Sequence, residues 1–93
     1  MKTFILKVVK PDHQYDQSTF IVDAWNAPRA ITQALKTYCG WTNVRTSPRW
    51  SNVDLWSVER DDLTPLCDVQ ILYTHPTKMN RTKAIDKMIE ITK

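Results

Sequence analysis

Ninety-three residues, 42% of them hydrophobic and 25% charged with a net charge of +3, are one folded domain's worth of chain spanning 1–93, since disorder would need fewer apolar residues or more net charge. A single glycine, Gly40, argues against phosphate-cradling loops and dinucleotide fingerprints, which need several. No stretch approaches the ~20 apolar residues of a membrane span, and the short apolar run at the start has no leader cleavage site, so a cytoplasmic protein without membrane partner is expected.

Residues 2–10 read as a first strand, in which Phe4, Leu6 and Val8 alternate with Ile5, Lys7 and Val9, and β-branched residues suit a pleated surface. Pro11, Asp12, His13 and Gln14 are turn chemistry, and a loop is expected to run to Ser18. Residues 19–25 form a second strand, with Phe20, Val22 and Ala24 on one face and Ile21, Asp23 and Trp25 on the other. Asn26 then caps a helix over 27–39, with Pro28 in the first turn, where a missing N–H costs nothing. Ala27, Ala30, Ile31, Ala34, Leu35 and Tyr38 repeat at helical spacing, and Gly40 is the natural stop.

The stretch from Trp41 to Asn52 shows no clear period and reads as a long loop, a feature often functional in small domains. A third strand is expected over 53–60 and a fourth over 68–74, joined by the turn Asp61-Asp62-Leu63-Thr64-Pro65. Pro76 stops the fourth strand. A last helix follows, from Lys78 or Arg81 to Thr92, capped by Thr77 or Asn80. The expected fold is α+β in the order β-β-α-β-β-α, a four-stranded antiparallel sheet with both helices packed on one face.

No catalytic constellation emerges, so the chain reads as a non-enzyme. Cys39 sits at a helix C-terminus, where the dipole disfavours a thiolate, and Cys67 reads as a buried thiol. Asp12 and His13 lack a nucleophile motif, and His75 reads as a loop histidine. The two cysteines and two histidines stand too far apart for zinc. No metal and no cofactor are expected.

The charge pattern carries more. Between Ala24 and Val53 no acidic residue occurs. Arg29, Lys36, Arg45 and Arg49 lie there, interleaved with Tyr38, Trp41 and Trp50. Cations with planar rings serve nucleic-acid surfaces, by phosphate contact and base stacking, and serve protein hot spots equally well. The partner-binding candidates are therefore Arg45, Arg49, Trp50, Trp41 and Lys36. A second candidate surface is Glu59, Asp61 and Asp62 at the acidic hairpin end.

The order of elements from the first strand through Thr19-Phe20-Ile21-Val22-Asp23-Ala24, into Ala30 to Cys39 and on to 53–60 resembles small phage-encoded inhibitors of the anti-CRISPR type. The resemblance covers about three quarters of the chain and concerns layout only; the last helix departs from the simplest ββαββ form. It implies binding to a host protein or nucleoprotein complex without catalysis, in the host cytoplasm. The favoured expectation is thus a binding protein that inhibits or modulates a macromolecular partner. The alternative is a nucleic-acid-binding module using segment 29–50.

Overall fold

Two hairpins and two capped helices organise the chain, with one further strand between them. The elements are β1 (Lys2–Lys10), β2 (His13–Ala24), α1 (Ala27–Tyr38), β3 (Val44–Arg49), β4 (Asn52–Arg60), β5 (Pro65–His75) and α2 (Arg81–Thr92). This computed structural model describes residues 1–10, 13–38, 40–49 and 52–92, with side chains for all of these apart from 10, 13–17, 38, 52 and 53. The fold is α+β: one five-stranded sheet in the order β2-β1-β5-β4-β3, antiparallel throughout, with two helices.

The helices start and stop where local chemistry says they should. The Arg29 N–H donates to Asn26 Oδ1 at 3.0 Å, and the Ala30 N–H to the Asn26 carbonyl at 3.0 Å. Such a cap satisfies a donor that the first turn leaves orphaned. Gly40 has φ of 71°, the left-handed turn that ends a helix cheaply only in glycine. At α2 the Asn80 side chain accepts from the Thr82 N–H at 2.8 Å, so Asn80, not Thr77, is the cap.

The four-strand expectation is corrected to five. Segment 41–52, read as a loop, holds β3, which pairs with β4 through Thr46↔Val58 and Ser47↔Ser57. Its sequence VRTSPR is polar and contains a proline, which a sheet tolerates at an edge, and β3 is an edge strand. The order is therefore β-β-α-β-β-β-α. Likewise β2 begins at His13 rather than Thr19, and β5 at Pro65 rather than Asp68.

The placement of both helices on one face is also corrected. Phe4, Leu6 and Val8 of β1 join Ala30, Ile31, Ala34 and Leu35 of α1 in the main core, with Val22, Val58 and Val69. Alternate residues of a strand point to opposite faces, so Thr3 and Ile5 lie on the other side, and both are fully buried. There the Met79 N–H donates to Thr3 Oγ1 at 2.8 Å, Thr3 Oγ1 donates to Asp23 Oδ1 at 2.7 Å, and Arg81 pairs with Asp23 at 3.3 Å. Lys87 lies 4.8 Å from the ring centre of Tyr73, whose Cα partner is Ile5. Helix α2 thus covers the face opposite α1. The cause is β1, whose 4–8 and 3–5 rows both need a cover.

Candidate partner-binding surface

The sheet separates residues that the sequence places together. Val44 packs against the core below α1; by alternation Arg45 and Ser47 face the other side. Lys36 is exposed on α1. Trp41 is half-buried against the core. Trp50 lies outside the described residues, as do Asp12 and Cys39, and the His13 side chain is likewise not described. Of the four candidates that the structure describes, Arg45 and Arg49 share a strand and Lys36 and Trp41 do not.

Nor is that strand a bare cationic surface. Arg45 is the Cα partner of Glu59. Arg49 Nη2 meets Asp68 Oδ1 at 2.8 Å, and its Nε–H donates to Ser57 Oγ at 3.0 Å. The Arg49 and Asp68 side chains are 46% and 34% exposed, so water screens the pair and it contributes about 0–1 kcal/mol. Its larger consequence is electrostatic: the β3 part of a segment free of acid in sequence lies beside carboxylates of β4 and β5.

The second candidate surface is more distinctive. The Leu63 N–H donates to the Arg60 carbonyl at 2.9 Å, and the Arg60 N–H to the Thr64 carbonyl at 3.0 Å. These bonds define a three-residue hairpin loop, a tight turn followed by one left-handed residue, which is usually glycine. Here that residue is Leu63, at φ of 68°, with its side chain 62% exposed. A branched apolar residue gains neither backbone comfort nor burial at such a place. Asp62 Oδ1 accepts the Thr64 N–H at 3.1 Å. The hydrogen bonds from Thr64, with help from the Arg60 charge, hold the Asp62 carboxyl below its ordinary value.

Beside this turn lies a cleft of about 440 Å³ walled by Trp41, Asn43, Arg60, Asp61, Asp62 and Leu66, among others. It unites Trp41, from the first candidate group, with Asp61 and Asp62, from the second. Glu59 stands apart, opposite Arg45. Asn43, at φ of 56°, supports the wall in a conformation asparagine tolerates well.

Sequence reasoning missed Leu63. The available signal was a leucine in the third loop position of a hairpin, where glycine or asparagine is the usual choice. It also passed over Trp25, 61% exposed just past the end of β2. The remaining chemistry is sparse. Cys67 is buried in the core, and His75 Nδ1 lies 2.8 Å from the Thr77 carbonyl oxygen. Among the described residues, no three His, Cys, Asp or Glu side chains are grouped to hold a metal ion, and no helix is long and apolar enough to cross a membrane. No protein-family model, curated protein or solved structure matches the chain.

Proposed function

We propose that this chain is a non-enzymatic binding protein that inhibits or modulates a macromolecular partner, engaging it through the β4–β5 turn and the adjoining Trp41 cleft. The partner class is a host protein or nucleoprotein complex in the cytoplasm, in keeping with the resemblance to phage-encoded inhibitors. The observation that carries this reading is Leu63. A leucine held left-handed costs about 1–2 kcal/mol relative to ordinary backbone, and strained residues of this kind cluster at ligand clamps and switches. Its exposed side chain, beside a cleft walled by an indole and two carboxylates, has the shape of an apolar anchor with a specific neighbour.

The nucleic-acid alternative rests on Arg45 and Arg49. Glu59 opposite the first and Asp68 bound to the second weigh against it, because phosphate binding draws on unpaired cations. One experiment separates the two readings. Immobilised chain is exposed to host-cell lysate at low and moderate salt, with nuclease-treated lysate as a parallel arm. The favoured reading expects a retained protein that resists nuclease and is lost with Leu63→Ala. Retention of nucleic acid alone, falling linearly with log salt, overturns it.

A further inference from the structure

Helix α2 is poorly equipped to stand by itself. Arg81 and Lys83 put positive charge in its first turn, and Glu90 puts negative charge near its end, the reverse of what the helix dipole favours. A helix of twelve residues is marginal in water even with a good sequence. The order of α2 therefore comes from the sheet beneath it.

What the sheet supplies is uneven. On the α2 side, β1 sets Thr3 between Asp23 and His75, and Ile5 between Ile21 and Tyr73. Thr3 and Ile5 are both fully buried. A polar clasp stands over the Thr3 row. The Met79 N–H donates to Thr3 Oγ1 at 2.8 Å, the Thr3 hydroxyl donates to Asp23 Oδ1 at 2.7 Å, and Arg81 reaches Asp23 Oδ2 at 3.3 Å. The Asp23 side chain is 14% exposed but that of Arg81 55%, so water screens the ion pair from the arginine side. Apolar burial adds little. Ala84 is the one buried residue of α2, while Ile85 and Ile89 stay 41% and 51% exposed. Among the described residues the main core takes Ala30, Ile31, Ala34 and Leu35 from α1 and none from α2.

We propose that α2 is a detachable strap. It leaves the sheet as a unit when the Thr3–Asp23–Arg81 clasp opens, while the five strands and α1 keep their common core. Its departure uncovers the Ile21–Ile5–Tyr73 row. The joint with β5 is segment 76–80, and its Met79 N–H is bonded to the clasp itself, so opening the clasp frees joint and helix together. Moving elements are drawn from the least stable parts of a fold, and this one is separate from the β4–β5 turn and independent of any role for it. Its regulatory meaning is access: a molecule that needs the Ile5 row binds with an affinity reduced by the fraction of chains whose strap is lifted.

The test uses two reporters in one full-length chain. Cys67 is a free thiol buried in the main core, and Ile5→Cys places a second thiol under α2. A thiol reagent is added under native conditions, and peptide mass spectrometry reads position 5 apart from Cys67 and Cys39. Position 5 should react at least about tenfold faster than Cys67, as sub-global opening requires. Asp23→Asn keeps an acceptor for the Thr3 hydroxyl but removes the ion pair. It should speed the reaction at position 5 by about threefold and leave Cys67 unchanged. Hydrogen exchange of the unsubstituted chain gives a measurement free of the Ile5→Cys cavity: the amides of residues 84–92 should exchange through one shared opening, faster than those of β1 and β5. Equal reaction of position 5 and Cys67 would overturn the proposal, as would Asp23→Asn that speeds both alike or neither. Exchange rates graded along α2, without a shared opening, would mean fraying in place and overturn it too.

Discussion

Replacing Leu63 with glycine should make the protein more stable and less functional at once. Relief of the left-handed backbone returns about 1–2 kcal/mol. Glycine's greater freedom in the unfolded chain takes back about 0.5–1 kcal/mol. The side chain is already 62% exposed, little different from its exposure in a realistic unfolded chain, so lost burial is worth only about 0.3 kcal/mol. The sum is a gain near 0.5 kcal/mol, or roughly 2–4 °C in Tm for a domain of this size. Most substitutions go the other way, by about 1 kcal/mol, which makes the sign diagnostic. Leu63→Ala provides the control: alanine keeps the strained backbone and loses the anchor, so binding falls without a rise in Tm. Calorimetry gives stability, and titration with the retained partner gives affinity. An anchor of this kind is worth about 2 kcal/mol or more, roughly thirtyfold in Kd. A drop in Tm for Leu63→Gly beyond the ~0.5 kcal/mol usual for surface changes would show that Leu63 packs against the fold, and the functional reading of its strain would fail.

Other consequences test the frame around the surface. Asp62 has its pKa lowered in the folded state, so its bond to Thr64 contributes stability above its ordinary value of 3.8 and loses it as pH falls through the lower native value. Asp62→Asn should accordingly flatten the acid limb of stability measured against pH below about 4. Thr3→Val should leave the part-buried Met79 N–H without its acceptor, costing about 1 kcal/mol or more; hydrogen exchange in residues 81–92 should accelerate before the sheet does. Leu35→Ala should cost about 2–5 kcal/mol in denaturant unfolding, as cavity-forming core truncations do, because Leu35 is fully buried. A loss under 1 kcal/mol would mean that the core below α1 collapses to fill the space.

What the sequence states locally, it states well. Asn26, Pro28 and Gly40 mark α1 within one turn at each end, because caps and stops act over three or four residues. Strand β3 was hidden for the opposite reason. Its alternation, Val44 and Thr46 half-buried against Arg45 and Ser47 exposed, is short and polar, and becomes a strand only by pairing with β4. The side of the sheet that α2 covers was equally hidden. β1 is apolar on both faces, so its pattern accepts a helix on either. The choice is made by Thr3 and Met79, joined across 76 positions of chain.

Charge follows the same division. A linear map finds a basic segment and an acidic hairpin and treats them as two surfaces. An antiparallel sheet sets strands side by side, so the basic β3 lies against the acidic β4, and Arg49 reaches across to Asp68, nineteen residues away. Arg49 is thereby paired with a carboxylate and Arg45 faces one across the ladder. What remains distinctive is apolar: Leu63 held up by a tight turn, and Ile85 and Ile89 partly exposed on α2. Neither place is visible as a patch in sequence, since one is a single residue and the other two residues of a helix flank. Both are more costly to leave bare than the arginines, because exposed apolar atoms forgo burial worth about 25 cal/mol per Å² whereas exposed guanidinium groups are well solvated. That asymmetry puts more weight on the apolar turn and the exposed flank of α2 than on the charges, where composition first directs attention.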